Sequence, residues 1–507
     1  MNKNIMIEDK AYDKKALIKY LTILGIFTPL SHFTGGYAVA LIPFFVMVAL
    51  LQGKLVDLLF WVLFLVFTGA GNRYFFSQNA IVVLLGRICL MSVTAMLMFR
   101  AFGKRNAIIL TPVLGIFLYI VWEVVVSAQG FSPIVSYLKI ALFVPLFLSF
   151  YAIANEVTQS TRVNAKAVRS AILSICCLAL LGSAMLIPFP GISQMTVKMG
   201  ETDLAVLQAL AEGKSLFQGM TSHSQVMGPM VGILSTLLLG DLVFAVKKWD
   251  KLYVLLLGVG PILLYKSSSR TAMGTWLAGV AMVLILFMHS RGVNARWRGK
   301  VMSAVFGLCI VAVVCVLALP GTRDSVLRFV LKVDKREDVR SSDISWDRVT
   351  SSREGLVDES LRNFKKKPVF GNGFQVSAAM EGEKRTSLAQ YLSAPIEKGV
   401  WPTAVLEEGG VIGLILFGGF LVVCICILIK RHAYIGASML WVFSIANLGE
   451  FSFFSMSYIG GLYWGLVYAG LVLDGQRMRN VGIQVFEVPI EVVMDEVGMD
   501  AWTKRLA

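Results

Sequence analysis

The sequence predicts an all-α fold: a polytopic membrane helical bundle of about 12–14 transmembrane helices with one large extracytoplasmic loop. Three observations carry this. First, hydrophobic residues make up 56% of the 507 positions and charged residues only 16%, against about 25% charged in ordinary soluble domains; mean hydropathy is +0.72. Second, apolar stretches of roughly 20 residues, enough helix to cross about 30 Å of hydrocarbon, recur from residue 16 to 473. Third, the pattern stops once, from 320 to 403, for a long polar insertion that opens at Pro320-Gly321 and closes at Pro402.

The spans are expected at about 16–34, 37–52, 55–70, 80–99, 107–128, 134–154, 169–189, 226–246, 252–266, 271–289, 301–319, 404–429, 434–450 and 454–473. The chain therefore divides into an N-terminal segment 1–15, a membrane bundle 16–319, the insertion 320–403, C-terminal membrane helices 404–473 and a tail 474–507. The first span lacks the small-residue cleavage pattern of a removable signal peptide.

Basic residues cluster in alternate loops: Arg100, Lys104 and Arg105; Arg162, Lys166 and Arg169; Lys247, Lys248 and Lys251; Arg291, Arg296, Arg298 and Lys300; Lys430 and Arg431. Positive loops stay cytoplasmic, so both termini are expected there, with 190–225, 266–270 and the insertion facing outward. The formal charge of +15 is assigned to this topology signal and not to nucleic acid. All seven cysteines, Cys89, Cys176, Cys177, Cys309, Cys315, Cys424 and Cys426, fall in expected spans. The insertion has no disulfide framework, and Cys424 and Cys426 lie on different helix faces, which argues against a metal pair.

Charged groups within spans are expensive in hydrocarbon, and each wants a reason. Glu123 and Lys139 lie near the outer ends of consecutive helices, where a structural ion pair and a substrate role are both open. Arg87 sits deeper and either pairs within the bundle or binds phosphate. The short link Lys266-Ser267-Ser268-Ser269-Arg270 sets a guanidinium among hydroxyls at a helix start. That suits an interface anchor, and it also suits a lipid-linked phosphate, whose oxygens match the planar fork. His223, within Gly219-Met220-Thr221-Ser222-His223, is either a surface residue or a candidate acid or base.

Inside the insertion, Ser351 and Glu354 have capping-box spacing. Val357, Leu361 and Phe364 then recur on one helical face, and Lys365 to Lys367 precede the stop at Pro368. An amphipathic helix of about four turns is expected, with Arg353 in its first turn, where a cation opposes the helix dipole and wants an anionic partner. Gly371-Asn372-Gly373 marks a tight turn. The chain returns to the membrane through Glu397-Lys398-Gly399 and then Glu407-Glu408-Gly409-Gly410. Glu407 and Glu408 are expected to line a cavity, or one of them to cap a helix start.

These residues, in this order, resemble the O-antigen ligase and O-antigen polymerase superfamily. Carrying the resemblance are Ser-Ser-Arg in a short outer link, a large outer loop with Ser-Ser-Arg-Glu on an amphipathic helix, Pro-Val-Phe-Gly-Asn-Gly-Phe, and Glu-Glu-Gly-Gly-Val-Ile-Gly at the return. It covers roughly residues 215 to 420 in detail and the rest by topology. It implies a fold like that of lipid-linked glycosyltransferases and the transfer of a glycan from undecaprenyl diphosphate to an acceptor hydroxyl, without metal or cofactor. It also implies residence in the bacterial inner (cytoplasmic) membrane. The partners implied are the undecaprenyl-diphosphate-linked oligosaccharide, the glycan acceptor and membrane lipid, with a flippase and a chain-length regulator in the same pathway. Arg270 and Arg353 match the family's diphosphate-binding arginines, with Ser269, Arg87 and Lys139 as further phosphate candidates.

Ligases of the family place a His-Asn pair where this chain has Glu397-Lys398-Gly399. The insertion contains no histidine, which favours a polymerase of exopolysaccharide or O-antigen repeats over a ligase acting on lipid A core or protein. Glu397 would then be the general base and Lys398 an assistant at phosphate, with Glu407, Glu408 and His223 as rival bases. A transporter or flippase would place its charges near mid-membrane, whereas here they concentrate at the outer face.

Overall fold

The computed structural model describes residues 11–76, 80–101, 106–193, 217–267, 269–290, 294–318, 346–376, 400–449, 452–455 and 458–480. Among these, sixteen α-helices form the molecule: α1 Lys14–Phe33, α2 Leu41–Leu51, α3 Leu55–Gly69, α4 Ala80–Ala101, α5 Ala107–Ser127, α6 Pro133–Gln159, α7 Ala165–Met185, α8 Pro190–Ser193, α9 Ser224–Gly240, α10 Lys251–Ser267, α11 Arg270–His289, α12 Ala295–Ala318, α13 Trp346–Lys366, α14 Trp401–Lys430, α15 Tyr434–Ala446 and α16 Tyr458–Asn480. A 3-10 turn at Tyr37–Ala40 leads into α2, and a π turn at Asp241–Val246 extends α9. Seven of these helical stretches are long and apolar enough to cross a membrane, which makes this a multi-pass membrane protein.

Sequence chemistry sets the helix starts. Asp13 accepts from the amides of Lys15 at 2.9 Å and Ala16 at 3.2 Å. Asn106 accepts from Ile108 at 3.0 Å and Asn164 from Lys166 at 2.9 Å. Each side chain satisfies a donor left orphaned by the first turn. Prolines interrupt α1, α5, α6, α9 and α10 at Pro29, Pro112, Pro145, Pro229 and Pro261, as membrane helices tolerate where neighbours re-satisfy the freed groups.

The bundle centres on α9. Of its apolar window 83% is buried, against 28% for α1 and 33% each for α11 and α14. It packs on α10, α11 and α15, while α16 reaches α3, α6 and α15, and α14 lies along α5. Small residues permit the closest approach, since a Cβ on Gly279 of α11 would stand 2.0 Å from Thr236 Oγ1 of α9.

The two ends of the bundle differ. At one end, Arg169 of α7 pairs with buried Asp241 at 3.0 Å, and Tyr253 also donates to that carboxylate. Arg479 there donates to the Val163 carbonyl at 2.7 Å. The charge pattern places Arg169 in a loop; it lies instead inside α7 and neutralises a buried carboxylate. The other end carries the returning insertion. There Asn72 donates to the carbonyls of Gly219 at 2.7 Å and Ile192 at 2.9 Å, and Ser222 donates to Ala70 at 2.9 Å, which pins the loop before α9 against the end of α3.

Candidate functional site

Two clusters of candidate residues form at the insertion end. The first is the corner around Arg270. Ser269 caps α11, its hydroxyl oxygen accepting from the Ala272 amide at 3.3 Å, and Arg270 is the first helical residue, half-buried. The link lies directly against α9, because a Cβ on Gly228 would stand 3.1 Å from both Ser267 Oγ and Ser269 Cβ. On its other side, a Cβ on Gly449 would meet the Thr271 side chain at 1.9 Å. The turn containing Gly449 holds the returning chain, with the Trp401 amide donating to the Asn447 carbonyl at 3.0 Å. Asn447 is locked in turn by the amides of Ser452 at 2.5 Å and Phe453 at 2.9 Å. The start of α14 is therefore one turn of chain from the start of α11. His223 stands just before α9 and is half-buried; its carbonyl receives the amides of Val226 and Met227, each at 3.1 Å.

The second cluster is a knot around Glu407 to Gly410. Helix α14 is broken within its length at Gly410, which has φ 68° and ψ −164°, a region that essentially only glycine adopts. The break frees backbone groups that must find partners, and the Gly371-Asn372-Gly373 turn supplies them. Asn372 and Gly373 donate their amides to the Glu407 and Glu408 carbonyls, each at 2.9 Å, and Val411 donates to Pro368 at 2.9 Å. Trp122 Nε1 donates to the Gly409 carbonyl at 2.8 Å. Lys139 is fully buried and donates to the Gln375 carbonyl at 2.7 Å. The turn fits so closely that a Cβ on Gly371 would stand 2.2 Å from the Glu408 carbonyl oxygen.

Both carboxylates of the knot are buried. Glu407 accepts from Ser360 Oγ and Asn363 Nδ2, each at 2.9 Å, which ties α13 to α14. Glu123 of α5 lies against the segment that follows Glu408, since a Cβ on Gly409 would stand 2.5 Å from Glu123 Oε1. Two expectations need correction here. Helix α14 starts at Trp401, which puts both glutamates beyond its first turn, and the Glu407 carboxylate accepts from the polar stripe of α13. The expected capping box also fails, since α13 already begins at Trp346. That lengthens the helix to 21 residues and moves Arg353 beyond the first turn.

Ser360 and Asn363 escape a sequence reading that follows the apolar residues of α13. Yet they are its most buried described side chains, while Val357, Leu361 and Phe364 are half-buried. The available signal is their spacing: Leu356, Ser360, Asn363 and Phe364 share one helical face, so two donors interrupt an apolar stripe opposite a buried acid.

Arg87 belongs to neither cluster. It lies on α4, half-buried, in a crevice with Leu142, Pro145 and Leu146 of α6 and Tyr458 of α16. The backbone of Arg353 lies in α13. Glu397 and Lys398 lie outside the described residues. No protein-family model matches the chain, and no curated protein sequence matches it.

Proposed function

We propose that the chain is an inverting glycosyltransferase that polymerises exopolysaccharide or O-antigen repeat units on the outer side of the cytoplasmic membrane, using an undecaprenyl-diphosphate-linked donor. The observation that best supports this is the Arg270 corner. A half-buried guanidinium leads a helix, beside its hydroxyl cap, where the long insertion returns to the bundle. A helix start and a guanidinium both favour phosphate oxygens.

In the proposed reaction the acceptor hydroxyl oxygen forms a bond to the anomeric carbon of the donor sugar from the face opposite the diphosphate. The bond from that carbon to the diphosphate oxygen breaks, and undecaprenyl diphosphate leaves. Glu397 takes the hydroxyl proton, with His223 as the rival base, and Arg270 and Arg353 stabilise charge growing on the leaving group. Glu407 and Glu408 hold the insertion to the bundle.

Replacing Arg270 or Arg353 by Ala should abolish long-chain polymer while the protein remains in the membrane; normal polymer from both variants would sink the proposal. A deletion strain separates the alternatives. Single lipid-linked repeats accumulate if the chain polymerises, whereas finished lipid-linked polymer accumulates unattached if it ligates.

A further inference from the structure

The crevice at Arg87 lies apart from both clusters at the insertion end. Arg87, Leu90 and Met91 line it from α4, Leu142, Pro145 and Leu146 from α6, and Tyr458 closes one side; it is a shallow, open crevice. The Tyr458 hydroxyl donates to the Val83 carbonyl at 3.0 Å. It sits so close to the α4 backbone that a Cβ on Gly86 would stand 2.3 Å from it. Two turns further along, Thr94 donates to the Pro145 carbonyl at 2.9 Å and ties α4 to α6.

Arg87 lies about two turns, roughly 10 Å, inside α4. A guanidinium at the centre of a membrane helix costs about 2.5–3.5 kcal/mol on insertion scales unless it is compensated. Among the described residues Arg87 makes no ion pair; the polar group beside it is the Tyr458 phenol. Leu84, Ile88 and Met91 flank it on the same helical face and are exposed, at 58%, 51% and 46%. The cation therefore borders an apolar stripe that faces the bilayer, and the crevice opens sideways onto that stripe.

We propose that this crevice binds the phosphate of a membrane lipid that enters laterally from the bilayer, with Arg87 as its counter-ion and the lipid's hydrocarbon lying along the exposed stripe of α4. An anion supplies what the surrounding side chains lack, and the planar donor fork of arginine matches phosphate oxygens. The apolar stripe requires a hydrocarbon tail, so free phosphate is a poor ligand. The site does not depend on the proposed glycan chemistry, since it recognises only the lipid phosphate.

The test is native mass spectrometry of the purified full-length protein in detergent, with phosphatidylglycerol, undecaprenyl phosphate and inorganic phosphate as separate probes. The wild type should retain one or both lipids and not inorganic phosphate. Arg87→Gln should lower retention at least ten-fold, and Leu142→Trp, which keeps the charge but fills the crevice, should do the same. Arg296→Gln, at an exposed residue of α12 outside the crevice and both clusters, should retain lipid as the wild type does. Preference for undecaprenyl phosphate supports a polyprenyl lipid as the occupant, and preference for phosphatidylglycerol supports a diacyl lipid. Equal retention by the wild type and both crevice variants, or no retention by the wild type, overturns the proposal. So does loss of retention in Arg296→Gln equal to that in Arg87→Gln, because general surface charge would then explain both.

Discussion

The Arg270 corner and the Glu407 knot stand at the same end of the bundle, are built from the same returning chain, and use charge in opposite ways. In the corner, the cation is half-buried at a helix start, and the crowding around it comes from glycines and a capping serine. In the knot, the carbonyls around the helix break are taken up by the Gly-Asn-Gly turn and Trp122, and the Glu407 carboxylate is held by two donors from α13. The contrast separates positioning from chemistry. A buried acid held by Ser360 and Asn363 fixes where the insertion sits, whereas the half-buried arginine leads a helix start, a place that favours anions.

The sharpest way to break this contrast is to exchange the two effects. Arg270→Ala should lower polymer formation by roughly a hundred- to a thousand-fold, the range seen when one charge-stabilising donor is lost, with little change in thermal stability; gel analysis of polymer length beside a melting curve in detergent reads both. Gly410→Ala should do the reverse. A side chain at that backbone conformation costs about 1–3 kcal/mol, and its Cβ would stand 2.2 Å from the Val369 carbonyl oxygen, so the melting temperature falls and the amount of folded protein in the membrane drops.

Glu407→Gln should cost about 1–3 kcal/mol, as expected when charged hydrogen bonds between buried partners are weakened. Combining it with Asn363→Ala should give less than the sum of the single effects, since the two residues share one interaction. If Glu407→Gln instead removed polymer and left the melting curve intact, the acid would belong with the chemistry and the contrast would fail. The smallest effect is expected from Ser269→Ala. Loss of a cap costs about 1 kcal/mol, and a modest drop in activity would follow from loosening the start of α11 beside Arg270.

Much of the knot is hidden in sequence for a physical reason. Gly371-Asn372-Gly373 and Glu407-Glu408-Gly409-Gly410 are both visible as motifs, but each alone fits a simpler account, a tight turn and a helix start with acids. Ser360 lies 47 positions from its partner Glu407, and Asn363 lies 44, so no local pattern couples them. The long-range pairing also explains why α13 buries Ser360 and Asn363 more deeply than its described apolar residues, the reverse of what an amphipathic helix on a soluble surface would do. Arg169 shows the same limit from the other end, where a basic residue counted toward a loop proves to neutralise Asp241.

By itself the sequence determined that this is an α-helical membrane protein, where its helices run, and that one polar insertion interrupts them. Hydrophobicity over about 20 residues is a local, additive property, and the bilayer reads it directly. Only the tertiary structure decided that Gly410 breaks α14, that the Gly-Asn-Gly turn takes up the freed carbonyls, and which charges lie buried and which half-buried. Those outcomes depend on backbone groups seeking partners from distant segments. The geometry of packing settles that search, and no stretch of sequence contains it.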